Sequence, residues 1–193
     1  MRSSNHEVAR AYVLYRERRS QERAHHVEAS IPVESTTLHV MDNGNRVPLD
    51  LAHLQHLIED ACKGLGQDVS ADPIVAETKR NLYDGVPIEE VYKASILAAR
   101  TLIERDPDYT FATARLLLHT IVKEVIGEEV PSGEMGARYA EYFPQFIKKG
   151  VQNHLLDEKL QQFDLARLGA ALKPERDLQF DYLGLQTLYD RYF

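Results

Sequence analysis

The sequence predicts a mainly α fold: a short β-hairpin plus a four-helix module, followed by further helices. Three observations carry that expectation. Asn43-Gly44 separates two short runs of alternating polarity, and this dipeptide is the strongest short hairpin signal because both turn positions tolerate positive φ. Apolar residues then recur at i, i+3, i+4 and i+7 through four successive segments. Proline and glycine fall between those segments rather than inside them.

Taken in order, residues 7–23 read as a charged helix with Val8, Ala11, Tyr12 and Tyr15 on one face and Arg16, Glu17, Arg18 and Arg19 on the other. So narrow an apolar face needs a partner, as the last helix of a domain lying upstream would. Residues 27–36, with Ser30, Pro32, Ser35 and Thr36, read as a linker. Residues 37–41 and 46–49 form the two strands. Asp50 is placed to cap the first helix, whose face is Leu51, Leu54, Leu57, Ile58, Cys62 and Leu65, with Gly64 or Gly66 ending it.

Asp72-Pro73 opens the second helix, with proline at the first helical position, where its missing N–H costs nothing. It runs through Ile74, Val75 and Leu82 to Asp84-Gly85. Pro87 opens the third, with Ile88, Val91, Ser95, Ala98 and Leu102 inward, and Asp106-Pro107-Asp108 breaks it. The fourth carries Phe111, Ala114, Leu118, Ile121, Val122 and Val125 and ends at Gly127. Residues 134–149 form a helix rich in aromatics that Pro144 should kink or split. One or two short helices follow over 155–172, then a loop over 173–177, an extended stretch over 178–180, and helix from Tyr182.

Composition excludes several classes. A net charge of −7 argues against a nucleic-acid surface, which needs clustered Lys and Arg. No apolar run approaches the ~18 residues of a membrane span. There is no signal-peptide pattern, and the single cysteine, Cys62, suits a reducing cytosol, so a cytoplasmic protein is expected. Met1-Arg2-Ser3-Ser4 runs almost directly into a helical pattern, and Leu185, Leu188, Tyr189, Tyr192 and Phe193 keep helical spacing to the last residue. The chain reads as a piece of a longer protein.

Candidate chemistry is sparse. His25-His26 and the His53/His56 pair are the metal candidates, but no third ligand stands at zinc spacing, so solvated helix-surface histidines are the simpler reading. Cys62 falls on an apolar face and reads as a small hydrophobe. Glu89-Glu90 and Glu128-Glu129 read as ordinary helix-terminal or loop charge. Neither a glycine-rich phosphate loop nor a Ser/His/Asp signature is present. No catalytic residue, metal ligand or cofactor is expected in this chain.

Specific residues do suggest a family. Arg105-Asp106-Pro107-Asp108-Tyr109 followed by Ala112-Thr113-Ala114-Arg115-Leu116 resembles the Arg-Asp-x-Asp-Tyr…Ala-Ala-Arg segment of class I ribonucleotide reductase large subunits. Asn153-His154-Leu155-Leu156 resembles the family's Asn-His-Leu-Leu. The run from Asp177, with Phe180, Tyr182, Gly184, Thr187-Leu188 and Tyr192, resembles its Asp-x-x-Phe-x-Tyr…Gly-x-x-Thr-Leu-x-x-x-Tyr.

On that resemblance, residues 37–127 are an ATP-cone, the module whose ATP or dATP occupancy sets overall activity. Residues 1–26 are similar to the closing helix of an upstream cone, 27–36 are the linker, and 128–193 begin the helical domain that precedes the catalytic barrel. The family reduces ribonucleoside diphosphates by a thiyl radical, and none of that machinery falls in this chain. Its implied partners are the remainder of the large subunit, other large subunits and the radical-generating small subunit, with neither nucleic acid nor membrane.

The chain departs from the cone pattern where nucleotide would be held. Met41 and Asp42 stand at the turn where the family has Lys-Arg, and Val47 replaces an acidic residue. Asp50 matches an asparagine, His53 replaces a lysine, Ile88 and Tyr92 replace a threonine and a histidine, and Glu124 replaces a late lysine. Two unit charges about 4 Å apart interact by roughly 4 kcal/mol at an effective dielectric near 20, so inverting two cations against a triphosphate is severe. His53 and Arg46 recover only part of it. The resemblance therefore implies a degenerate cone that keeps its shape, as a spacer or subunit contact, and no longer binds ATP or dATP.

The alternatives are a cone that still binds ATP or dATP in a shifted pose, and a helical interaction module unrelated to nucleotides. A cone-bearing transcriptional repressor would want a four-cysteine zinc ribbon and a basic face that this chain lacks.

Overall fold

A computed structural model of the chain describes residues 38–42 and 44–192. The expected helix over 7–23, the His25-His26 pair, the linker, Thr37, Asn43 and Phe193 lie outside the described residues. The elements are β1 (His39–Asp42), β2 (Asn45–Pro48), α1 (Leu51–Cys62), α2 (Asp72–Asn81), β3 (Val86–Pro87), α3 (Ile88–Thr101), α4 (Tyr109–Ile126), α5 (Met135–Gln152), α6 (Leu165–Ala170) and α7 (Tyr182–Tyr192). Single 3₁₀ segments stand at Ser132–Glu134, Glu158–Gln162 and Pro174–Gln179. The fold is mainly helical, as the periodicity requires, and residues 38–192 form one compact unit.

The hairpin pairs Val40 with Val47 and Asp42 with Asn45. Val40 points into the core, while β2 lies exposed. On the other edge β1 pairs in parallel with β3, Val40 opposite Val86, giving the sheet order β2-β1-β3. The sequence reading takes Pro87 only as a helix opener, because two residues show no period. Asp84 fixes this third strand: its carboxylate accepts the His39 backbone N–H at 3.0 Å, and the Gly85 N–H donates to the His39 carbonyl at 2.8 Å.

Asp50 caps α1, its side chain accepting the His53 N–H at 2.9 Å. At the other end Arg115 Nη1 donates to the Ala61 and Lys63 carbonyls at 3.0 and 2.8 Å, so a cation on α4 satisfies the carbonyls that α1 leaves unpaired. Gly127, at φ +87°, closes α4 in the left-handed region. The core gathers Leu54 and Ile58 of α1, Ile74 of α2, Val91 and Ala99 of α3, Ala112 and Leu117 of α4, and Leu185 of α7. Three fully buried hydroxyls sit inside it without cost to satisfaction. Thr78, Ser95 and Thr113 each donate to the carbonyl four residues back.

Beyond Gly127 two expectations need correction. Pro144 does not split α5, which runs on from Met135 to Gln152. Proline leaves the Ala140 carbonyl without its helical donor, and α6 packs there: a Cβ on Gly169 would lie 2.7 Å from the Ala140 oxygen. Residues 174–179 are a 3₁₀ helix rather than a loop and an extended stretch. Pro174 pre-sets its first turn, and Tyr139 donates to Asp177 at 2.7 Å.

The Asn153-His154-Leu155-Leu156 motif has a structural explanation as a helix stop. The Asn153 amide donates to the Lys149 carbonyl, His154 takes φ +58°, and the Leu155 and Leu156 N–H groups return to the Gly150 carbonyl. A non-glycine residue at that φ is strained by roughly 1 kcal/mol. His154→Gly should therefore stabilise the chain by up to about 1 kcal/mol in urea unfolding; a loss of stability would mean that the imidazole makes a compensating contact.

Candidate functional site

Tyr92 lies on the inward face of α3, two turns of α4 bring His119 and Lys123 alongside it, and the amino-terminal turn of α1 supplies His53. All face Glu129, which follows the Gly127 stop. The Tyr92 hydroxyl donates a short hydrogen bond to Glu129 Oε1. Lys123 Nζ lies 2.9 Å from the same oxygen, 3.2 Å from the Tyr92 hydroxyl and 4.7 Å from the centre of its ring. His53 Nε2 stands 2.7 Å from Glu129 Oε2.

Electrostatics follow that geometry. Burial alone would raise the Glu129 pKa, but the hydrogen bonds from Tyr92 and Lys123 and the charges of Lys123 and His53 hold it down to about 2. Burial, with Glu129 as acceptor, pushes the Tyr92 phenol up to about 12, which keeps it a donor. Lys123 is also raised: its burial acts the other way and is outweighed by Glu129 and Tyr92. His119 packs its ring 5.5 Å from that of Tyr92, and burial lowers its pKa so that it is neutral at pH 7.

The residues expected at the nucleotide positions do not all meet. His53 and Tyr92 do. Met41 and Ile88 are half-buried near the β1–β3 pairing, Asp42 pairs with Asn45 in the hairpin register, Val47 is exposed on β2, and Asp50 is committed to its cap. Glu124 turns away: it accepts from the Tyr189 hydroxyl of α7 at 3.0 and 2.9 Å. Arg46 is ion-paired with Asp84.

Reading Glu128-Glu129 as ordinary charge holds only for Glu128, which pairs with Arg138 at 2.6 Å; Glu129 is the centre of the cluster. Sequence reasoning also passed over Lys123 and His119. Their signal was the Arg115, His119, Lys123 spacing of four, which lines one face of α4. His56 pairs with Glu59, apart from His53. Burial raises the Cys62 thiol to about 11, as suits a packing residue rather than a nucleophile.

Beside the cluster lies a cleft of about 630 Å³ between α1, α4, the start of α5 and the 174–179 turn. Its walls include Asp60, Arg115, His119, Glu129, Tyr139 and Asp177. Arg115 Nε and His119 Nε2 are buried there without a hydrogen-bond partner.

Residues 40–124 match the ATP cone domain family. The chain is 34% identical over 192 residues to the ribonucleoside-diphosphate reductase subunit alpha of Chlamydia pneumoniae, which covers 97% of this chain and 18% of that protein. It is 36% identical over 155 residues to the subunit alpha of Helicobacter pylori, covering 79% and 18%. To the ribonucleoside-diphosphate reductase 1 subunit alpha of Escherichia coli it is 26% identical over 152 residues, covering 78% and 19%. The chain thus spans about a fifth of the length of the curated relatives it matches.

The folded pKa of Glu129 lies below its unfolded value, so its stabilisation is complete above about pH 5 and is lost as pH falls toward 2. Charging of buried His119 acts in the same direction. The urea midpoint should fall through that window by an amount worth at most about 3 kcal/mol, and Glu129→Gln should flatten the fall. An equally steep acid limb in the variant would remove Glu129 as its source.

Proposed function

The chain belongs with the cone-bearing amino-terminal region of ribonucleoside-diphosphate reductase alpha subunits, and from that premise we propose that its cone is silent toward ATP and dATP and works as a spacer. The parent would be a cytoplasmic reductase of ribonucleoside diphosphates, working with further large subunits and a radical-generating small subunit. Residues 1–26 would close an upstream cone, residues 37–127 would be the silent cone, and the helices from residue 128 would lead toward the catalytic domain. Similarity to the chlamydial protein over nearly the whole chain supports including the amino-terminal segment.

One observation carries the reading: the basic side chains beside the expected nucleotide positions already face carboxylates of this chain. Arg46 serves Asp84, while Lys123 and His53 serve Glu129. Asp42 stands at the turn where the family has a cation. A triphosphate would have to displace internal partners and approach an acidic turn as well. The spacer role is supported by a well-filled core beneath that turn, and by exposed Leu155, Phe163, Leu183 and Tyr192, which offer apolar surface to the rest of the parent.

A second reading, a cone that binds nucleotide in a shifted pose, is favoured by the cleft with its unpartnered Arg115 Nε and His119 Nε2. Calorimetric titration of the chain with ATP and with dATP separates the two. No saturable heat is expected; micromolar binding would establish the shifted pose instead. In the parent, removing residues 37–127 should alter the dATP response or the oligomeric state, and an enzyme indifferent to the deletion would end the spacer role.

A further inference from the structure

The ion cluster has the form of an anion site with its anion in place. His53 Nε2 from α1, the Tyr92 hydroxyl from α3 and Lys123 Nζ from α4 converge on the two oxygens of one carboxylate, carried by a residue outside all three helices. Donors brought from separate elements onto one charged acceptor are how a phosphoryl group is gripped. We propose that Glu129 is a built-in surrogate for a phosphoryl group, filling a latent site for an inorganic polyphosphate chain that Lys123, His53 and Tyr92 would otherwise hold.

The inference rests on the silent-cone reading and accounts for part of the silence by self-occupancy. A tethered carboxylate competes at the millimolar effective concentration of a short linker, so dilute external anions lose to it. Arg115 and His119 continue along the same face of α4 and line the cleft, each with one buried side-chain nitrogen that has no hydrogen-bond partner. Acidic groups also face the cleft: Asp60 and Glu175 are exposed, and Asp177 is held by Tyr139. They disfavour a long, highly charged ligand; of the cluster, His53 and Glu129 line the cleft, so a short phosphate chain would enter from their side.

Exchange has a structural consequence. Glu129 is flanked by Glu128, paired with Arg138 of α5, and by buried Val130. Displacing its carboxylate would loosen the connection between α4 and α5, so occupancy of the site would be felt by the helices that follow.

The test is calorimetry with inorganic tripolyphosphate on the full chain, as wild type, Glu129→Ala, Glu129→Gln and the double variant Glu129→Ala/Lys123→Ala. At least a tenfold gain in affinity over wild type is expected for Glu129→Ala, and the double variant should return to the wild-type level. A cooperative thermal melt identifies the variants that fold. A folded Glu129 variant with no gain overturns the proposal, as does a gain that survives loss of Lys123.

On the wild type, excess tripolyphosphate should return the Glu129 carboxyl titration, followed by ¹³C NMR, to the ordinary glutamate range. An unchanged titration overturns the proposal even if no variant folds. ATP or dATP binding to the wild type defeats the silent-cone reading itself, and is separate from these outcomes.

Discussion

The half-buried carboxylate of Glu129 is the constraint on which the cone's arrangement turns. Its two oxygens receive groups from α1, α3 and α4, which also meet through the apolar core and through the Arg115 hydrogen bonds to the end of α1. Lys123 and Glu129 are each roughly one-third exposed or less, so neither can be left alone cheaply. Removing one member of such a group strands the charge of the other, which costs more than the pair contributes. The cluster therefore fixes where the amino end of α1 stands against α3 and α4, and that position sets the mouth of the cleft.

Asp84 plays the corresponding part at the sheet. It takes the His39 N–H and the Arg46 guanidinium, so one carboxylate after α2 ties both strands of the hairpin. The His39 hydrogen bond is the largest influence holding its pKa below the usual carboxylate range, with the Arg46 charge adding to it. The Asp84 side chain is half exposed, and its value lies in direction rather than strength.

Much of this fold was legible because local chemistry and tertiary packing agree. Asp50 caps, Pro73 starts a helix, Gly127 stops one, and Leu54 and Ile58 of the expected stripe lie in the buried face of α1. What could not be read depends on neighbours distant in sequence. A two-residue strand at Val86 exists only because β1 lies beside it. Residues 174–179 coil because Tyr139, far back along the chain, engages Asp177. The site was half legible: His53 and Tyr92 were located by resemblance, but Glu129 lies past a left-handed glycine, where helical spacing carries no information. Adjacent Lys123 and Glu124 on α4 meet different neighbours, one Tyr92 of α3 and the other Tyr189 of α7, and helical spacing alone names neither partner.

Self-satisfaction of the cluster bears on the proposal that the cone is silent. A set of converging cationic donors with no anion among them repels itself, so a module of that kind gains rigidity only when ligand is bound. With Glu129 supplying the acceptor, Lys123 and His53 have a partner within the chain itself, and the helices that carry them are held in register by it. That is the property a fixed-length spacer requires, and it is opposite to what a sensor requires. Glu124 completes the case. Tied to Tyr189, it joins α4 to α7, so the element that carries Lys123 at one face is anchored to the following helices at the other. A displacement at Lys123 therefore has a direct mechanical path into α7, whether it originates in an anion at the cluster or in a neighbour pressing on the helices beyond it.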